Sequence, residues 1–203
     1  MAQRYPIPAQ TTRSEIIIKR SRFIATIGAA DTVEAARTFI QAIRDEMPDA
    51  THHVYAFRVG YGSSVNEGLS DDGEPAGTSG RPTMAVIRGA DLGDVVIVIT
   101  RYFGGTKLGT GGLVRAYSGA AKNVLHILPT TEKVTTLPVT FDVSYSNYDQ
   151  VKRVLPDYQA HILHENFADH ITLTLRVPED LFDTFSVSIR EFSLNNTEPV
   201  LSE

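Results

Sequence analysis

The chain has 203 residues, enough for one large domain or two small ones, since domains commonly run to roughly 100–150 residues. Its hydrophobic fraction of 42% and charged fraction of 21% are those of a globular protein and argue against disorder over most of the length. The absence of cysteine excludes disulfides, thiolate catalysis and cysteine-ligated metal sites.

Charge is distributed unevenly along the chain. Residues 1–133 contain 15 Lys and Arg against 13 Asp and Glu, a net +2, whereas residues 134–203 contain 4 against 11, a net −7. A surface that binds a polyanion is therefore expected on the first part. The N-terminus lacks an apolar signal-peptide core, and no run approaches the roughly 20 apolar residues that span a bilayer, so we expect a cytoplasmic protein without a membrane partner.

Two strands are predicted within residues 14–29, joined at the basic cluster Lys19-Arg20-Ser21-Arg22. An amphipathic helix follows, with an N-cap signal at residues 31–34, apolar residues at helical spacing and a stop at Pro48. Strict alternation from His53 to Gly60 predicts a third strand.

The middle of the chain is predicted to place one apolar strand between two polar, glycine-rich segments. Residues 60–73 are expected to be loop, and a short helix is predicted within residues 75–88, where Gly and Pro oppose a helix but the apolar residues favour one. The β-branched run Val95-Val96-Ile97-Val98-Ile99 predicts a strand buried on both faces. Helical spacing from Leu113 to Ile127 predicts a long helix that ends before proline.

The last part of the chain is predicted to be a separate domain. Residues 130–137 show no periodicity, so we assign residues 1–133 and 134–203 to two domains. Beyond the boundary the pattern predicts the order β-α-β-β-α-β, with one helix capped by Ser146 and another opened by Pro178-Glu179-Asp180. That order is the split-βαβ, ferredoxin-like arrangement.

The two glycine-rich segments flank the apolar strand and form the candidate site. One reads Ser70-Asp71-Asp72-Gly73-Glu74-Pro75-Ala76-Gly77-Thr78-Ser79-Gly80-Arg81-Pro82; the other reads Arg101-Tyr102-Phe103-Gly104-Gly105-Thr106-Lys107-Leu108-Gly109-Thr110-Gly111-Gly112. Glycines in a strand-to-helix loop let backbone N–H groups approach an anion, and the helix N-terminus adds partial positive charge. The spacing matches neither the P-loop nor the dinucleotide fingerprint. The same glycines can instead serve tight turns and close packing of the helix on the sheet.

Basic and aromatic residues of these segments are predicted to bind an anion or a nucleic acid. Either Tyr102 or Phe103 can stack on a base while the other is core, or both can pack in the core. The alternative for the cations is ordinary surface charge. The predicted patch comprises Arg81, Arg101, Tyr102, Phe103, Gly104, Gly105, Lys107, Gly109 and Arg115.

Three carboxylates of the first segment allow a different chemistry. Asp71, Asp72 and Glu74 are suited to magnesium or to general acid–base work, or else to a solvated turn near a helix start. His52 and His53 face apart on a strand, so they cannot jointly bind one metal in the usual manner. We predict no catalytic residue and no cofactor.

Both glycine-rich segments, read from Ser70 to Gly80 and from Arg101 to Tyr117, closely resemble the IMPACT family in its bacterial YigZ branch. The resemblance covers about residues 14–128, includes Lys19-Arg20-Ser21-Arg22-Phe23-Ile24, and departs at Ser79, where members more often carry alanine. It implies an N-terminal α+β domain similar to the second domain of ribosomal protein S-five and to domain four of elongation factor G. The bacterial branch adds a ferredoxin-like domain similar to domain five of that factor, which agrees with the predicted order.

The resemblance implies a role but no catalytic residues. Eukaryotic members regulate translation initiation through an amino-terminal partner-binding domain, for which we find no counterpart before residue 14, so their partner is not carried over. One hypothesis is a non-enzymatic protein that binds RNA or the ribosome and modulates translation. The other is an enzyme or binding protein for a phosphorylated small molecule or nucleotide, with a metal or base among the three carboxylates. A protein partner on the acidic second domain is a further possibility.

Overall fold

The computed structural model describes residues 4–201, and for Asn196 the backbone alone. Within this range the chain forms two compact units: Tyr5–Lys133, and the residues from Val134 onward together with Arg4. Residues 1–3 and 202–203 of the predicted domains lie outside the described range. The predicted two-domain, mixed helix-and-strand fold class is confirmed.

An antiparallel five-stranded sheet forms the centre of the first unit. The strands of this part of the chain are, in order, β1 (Arg4–Pro8), β2 (Thr12–Ile18), β3 (Ser21–Ala29), β4 (His52–Tyr61), β5 (Ser64–Ser70), β6 (Val95–Tyr102) and β7 (Thr130–Val134). The sheet has the strand order β2-β3-β6-β4-β5, and a separate two-stranded ribbon pairs β1 with β7.

Helices cover both faces of this sheet. The helices are α1 (Val33–Glu46), α2 (Gly80–Gly89) and α3 (Thr110–His126). Successive residues of β6 point to opposite faces, so Ile97 packs with α2 and α3 while Val98 packs with α1. Every residue of the apolar run in β6 is fully buried, as predicted. No helix in the described range is long and apolar enough to cross a bilayer.

The prediction of loop across residues 60–73 is wrong, because β5 lies within it. This strand pairs with β4 from Tyr55↔Ser70 to Tyr61↔Ser64 and is the last strand on its side of the sheet. An edge strand is covered on fewer sides than a central one, so it can be polar and leave little hydrophobic signal. The predicted short helix is present: α2 runs from Gly80 to Gly89, after a series of turns.

The second unit has the predicted β-α-β-β-α-β order. The elements are β8 (Thr136–Val143), α4 (Tyr148–Val154), β9 (His161–Phe167), β10 (Ile171–Pro178), α5 (Phe182–Arg190) and β11 (Val200–Leu201). The antiparallel sheet has the strand order β11-β8-β10-β9, and one face packs against both helices. Phe141 lies opposite Leu173, and Phe185 contacts the Phe141 ring edge-on.

One local prediction near this unit needs correction, and the stretch without periodicity is ordered. Residues 130–137 are mostly strand, in β7 and the start of β8. Asn147 rather than Ser146 precedes α4, and the Ser146 hydroxyl instead hydrogen-bonds that of Ser144 at 2.9 Å. A short polar side chain has several local backbone and side-chain partners within reach, so sequence alone does not select among them.

Asp94 joins the ribbon to the central sheet. Its carboxylate accepts hydrogen bonds from the Tyr5 hydroxyl at 2.8 Å, the Gly60 N–H at 2.7 Å and the Lys133 ammonium at 2.5 Å. Burial by itself raises the pKa of Asp94, but the hydrogen bonds from Lys133, Gly60 and Tyr5 outweigh it, so the pKa is lowered.

We predict that Asp94→Asn removes part of the acid sensitivity of the first unit. A lowered folded-state pKa means that the carboxylate stabilises the fold above its unfolded pKa of about 3.9, and that this stability is lost as pH falls through the folded value. Denaturation followed by β6 amide NMR signals should therefore show a weaker pH dependence in the variant below about pH 4. Asp91→Asn, at an exposed carboxylate bonded to the Tyr61 hydroxyl, is the control. Equal acid sensitivity in Asp94→Asn and the wild type would contradict the prediction.

Candidate functional site

A buried ion pair joins the two glycine-rich segments. Arg101, near the end of β6, donates from Nη1 to Oε1 of Glu74 at 2.5 Å, and the two side chains are 5% and 3% exposed. Tyr117 of α3 donates its hydroxyl to the same oxygen at 2.7 Å. Burial raises the pKa of Tyr117, and the Glu74 carboxylate raises it further, so the hydroxyl stays a donor. The sheet, the first segment and the long helix therefore meet at one carboxylate.

Aromatic rings and one hydroxyl complete the surroundings of the Arg101 guanidinium. Its Cζ lies 5.3 Å from the centre of the Phe23 ring and 5.5 Å from that of Phe103. Nη2 donates to Oγ of Ser21 at 3.4 Å, whereas Nε is buried without a hydrogen-bond partner among the described residues. A buried donor without an acceptor costs about 1–3 kcal/mol, which the rest of the fold must offset.

Close packing explains one glycine of the second segment and backbone conformation explains another. A Cβ on Gly104 would lie 2.1 Å from the carbonyl carbon of Arg20, so only glycine lets this loop rest on the turn between β2 and β3. Gly109 precedes α3 with φ of 72°, in the left-handed region, and no atom lies within 4 Å of its added Cβ. Close packing therefore explains the glycine at position 104. At Gly109 the left-handed backbone conformation explains the glycine, and no neighbouring atom would contact a side chain there.

The three carboxylates of the first segment do not converge. Asp71 accepts hydrogen bonds from the backbone N–H groups of Gly77, Ser79 and Gly80 at 2.7 to 3.1 Å and so holds the start of α2. Burial raises the pKa of Asp71, but the Ser79 hydroxyl and these N–H groups outweigh it and lower the pKa. Asp72 instead accepts from Arg44 at 2.8 Å. Within residues 4–201 no group of three or more His, Cys, Asp and Glu side chains is placed to hold a metal ion.

Other members of the predicted patch separate in the fold. Tyr102 packs on the α1 side of the sheet, where its hydroxyl donates to Asp49 at 2.9 Å. Phe103 is 47% exposed beside the guanidinium of Arg101. Of the two adjacent aromatics, Phe103 is thus the one available to a ligand. Arg101 is 4% exposed and is not the surface contact that the sequence predicted.

Unpaired cations lie on the α3 side of the first unit. Lys19 and Arg115 line a cleft of about 220 Å³, and Arg81 and Lys122 line a groove of about 950 Å³ between α2 and α3. Arg115 and Lys122 are two helical turns apart and share one side of α3. We call the following exposed residues, none of which has a salt bridge or side-chain hydrogen bond to another residue of the described range, the basic stripe: Lys19, Arg20, Arg81, Lys107, Arg115 and Lys122.

Most other cations of the first unit are paired with carboxylates. Two of these pairs, Arg13–Glu46 and Arg22–Glu15, are exposed, and the Asp72–Arg44 pair is half-buried. Pairing uses up the charge and the donors that a phosphate would need. The sequence did not point to Lys122 and indicated Lys19 and Arg20 only as a turn, since nothing local shows that these residues share a surface with Arg115.

A second cleft, of about 490 Å³, lies at the ion pair, and we call it the Arg101 cleft. Its lining includes Glu74, Phe103, Lys107 and the start of α3, together with Thr51 and His52, which the sequence analysis did not place in the site. Nδ1 of His52 lies 2.7 Å from the carbonyl oxygen of Asp72, to which it donates, and Nε2 lies 4.0 Å from Oε1 of Glu74. From the sequence, the adjacent positions of His52 and His53 predicted only that their side chains point to opposite faces of a strand.

Comparison with known proteins identifies the class to which this two-domain fold belongs. Residues 19–125 match the Impact N-terminal domain, and residues 141–194 match a domain of unknown function, DUF1949. The chain belongs to the IMPACT family, in its YigZ branch.

Relatives from two bacteria match over nearly the whole chain. IMPACT family member YigZ of Escherichia coli (strain K12) is 36% identical over 188 residues, 92% of each chain. An IMPACT family member of Haemophilus influenzae is 37% identical over 190 residues, 93% of this chain and 92% of its own. A crystal structure of a hypothetical protein is similar with a TM-score of 0.74 and 34% identity, over 100% of this chain and 99% of the other. The predicted family and fold class are thus confirmed.

We predict that Glu74→Gln destabilises the first unit by about 3–5 kcal/mol, because it leaves the Arg101 charge buried without a partner. Glu15→Gln, which breaks an exposed pair with Arg22, should cost only about 0–1 kcal/mol. Hydrogen exchange of the β6 amides measures both changes. Similar losses of stability in the two variants would show that the buried pair stabilises the fold no more than the exposed pair does.

We also predict that Gly104→Ala lowers the free energy of unfolding of the first unit by about 3 kcal/mol, since the new Cβ collides with backbone rather than with a movable side chain. Gly89→Ala, at the end of α2 with no atom within 4 Å of the added Cβ, should be neutral or stabilising by up to about 1 kcal/mol. Hydrogen exchange of the β6 amides measures the stability of both variants. A stable Gly104→Ala variant would rule out the close approach to Arg20.

Proposed function

We propose that this protein is a non-enzymatic RNA-binding protein that associates with free or ribosomal RNA and modulates translation. The basic stripe is the main support. Its six cations are exposed and lack salt bridges and side-chain hydrogen bonds within the part of the chain that the structure describes. Such side chains keep their charge and donors for phosphate groups.

The charge balance favours a limited, oriented contact. The first part of the chain carries a net charge of +2 and the second −7. A polyanion is attracted by the basic stripe and repelled by the acidic second domain, so RNA should contact the first unit. The low net positive charge also opposes tight non-specific binding, which depends on many neutralised phosphates.

The link to translation rests on family resemblance. The two domains resemble domains four and five of elongation factor G, and eukaryotic members of the family regulate translation initiation. Both features favour ribosomal RNA or a ribosome-bound RNA as the ligand. A protein partner on the acidic second domain and a location in the cytoplasm remain predictions.

The alternative, an enzyme that uses a metal or base on a phosphorylated small molecule, has less support. Asp71, Asp72 and Glu74 are engaged in separate contacts that organise the fold. None of the three is left as a free base facing a common point.

We predict that the double variant Lys107→Ala, Arg115→Ala binds labelled single-stranded RNA and intact ribosomes at least about 10-fold more weakly than the wild type. The dependence of log affinity on log salt concentration should lose about 0.7 per phosphate contact, or about 1.4 in total. Binding measured over a range of salt concentrations gives both quantities.

Arg37→Ala is the matched control. Arg37 is an exposed arginine of α1, which packs on the opposite face of the sheet from α3. Its removal should leave affinity and slope unchanged. If the double variant behaved like Arg37→Ala, the basic stripe would not be the RNA contact.

A further inference from the structure

The Arg101 cleft has the size and lining of a small-ligand site. Its volume of about 490 Å³ falls within the range of about 300–1,000 Å³ typical of such pockets. Apolar walls come from Pro75, Phe103, Leu108 and Leu113, and polar groups are few. Apolar walls with a few polar groups suit a flat, partly polar group such as a nucleobase.

Phe103 is the best-placed stacking surface in the cleft. The guanidinium of Arg101 lies 5.5 Å from the centre of its ring, while 47% of the residue is exposed. A cation beside one face of the ring restrains it without covering it completely. Exposed aromatic rings of this kind stack on unpaired bases, whatever the base, because every base has a π-face.

The charge of the cleft suits one phosphodiester. Glu74 is the acidic residue of its lining, and it is paired with Arg101. Lys107 is exposed without a salt bridge or side-chain hydrogen bond to another described residue, which leaves one positive charge. Gly109 and Thr110, at the start of α3, also line the cleft, and the first N–H groups of a helix bind phosphate oxygens well.

An unsatisfied donor independently marks the cleft. Nε of Arg101 is buried, has no hydrogen-bond partner among the described residues and belongs to a side chain that lines the cleft. Unpaired buried donors are rare, and a bound ligand is one of the ways in which they are satisfied.

We propose that the Arg101 cleft takes one unpaired nucleotide of RNA, with its base on Phe103 and its phosphate at Lys107 and the start of α3. This inference rests on the proposed function and refines it, because it makes the protein selective for single-stranded over duplex RNA. Watson–Crick pairing and stacking within a duplex hold a base away from such a cleft.

The test compares Phe103→Leu with Phe167→Leu. Leucine keeps apolar bulk but has no ring to stack, and Phe167 is a similarly exposed phenylalanine in the second unit. Each variant is titrated with a single-stranded RNA oligonucleotide and with its duplex, and thermal unfolding checks that the folds are equal. We expect Phe103→Leu to weaken single-strand binding about 10-fold and to leave duplex binding unchanged. Phe167→Leu should change neither.

Mononucleotides map the site directly. AMP, GMP, CMP and UMP should each shift the amide NMR signals of Gly73, Phe103 and Thr110 in the wild type, and much less in Phe103→Leu. Inorganic phosphate alone should reproduce only the shift at Thr110. Shifts mapping elsewhere, equal shifts with phosphate alone, or a preference for an acidic peptide would overturn the proposal.

The outcomes separate the two proposals. Because Lys107 belongs to both the basic stripe and the cleft, the variant Arg115→Ala, Lys122→Ala, which leaves the lining of the cleft unchanged, tests the basic stripe by itself. If this variant loses RNA affinity but Phe103→Leu does not, RNA binding by the basic stripe stands and the nucleotide cleft is wrong. If mononucleotides bind the cleft but this variant keeps its full RNA affinity, the cleft stands as a nucleotide site and the proposed function is wrong.

Discussion

The buried ion pair between Arg101 and Glu74 is the constraint on which the arrangement of the first unit depends. Two charges removed from water must be paired with good geometry, because a charge left alone in the interior is strongly destabilising. The pair fixes the end of β6 against the first glycine-rich segment, and the Tyr117 hydroxyl fixes α3 to the same carboxylate. Segments that are far apart in sequence are thereby held at a single point.

This constraint separates structural charges from available ones. Arg101, Asp71 and Asp72 resemble site residues by their chemistry, yet each is engaged inside the protein. The lysines and arginines of the basic stripe lie around them, on the turn between β2 and β3, on the second glycine-rich segment and on two helices. A surface that binds phosphate groups requires such cations, because side chains without a salt bridge keep their charge and hydrogen-bond donors for the phosphate.

The second unit has an independent basis for stability. Phe141 and Phe185 meet in a core that alternating residues of β8 and β10 complete, and the paired registers of these strands bury that face against α4 and α5. Its acidic composition has no role in this core. The charge difference between the two domains is therefore a property of their surfaces, where it affects partners rather than folding.

Periodicity by itself determined the strongly patterned elements: the buried strand β6, the helices α1 and α3, and the ferredoxin-like order. These depend on local alternation or helical spacing, which neighbouring residues carry. The edge strand β5 was not predicted, because an edge strand is covered on fewer sides than a central one and needs few apolar residues. Composition and motifs also identified the family and the two segments that form the site.

Only the tertiary structure decided which residues of those segments are available. Arg101 and Lys107 are both cations of one segment, yet the fold buries the first against Glu74 and exposes the second. Tyr102 and Phe103 are neighbours, yet they lie on opposite sides of the sheet end. Lys19 joins Arg115 at one cleft across nearly a hundred residues of sequence. Burial and convergence are properties of contacts between distant segments, and no local pattern records them.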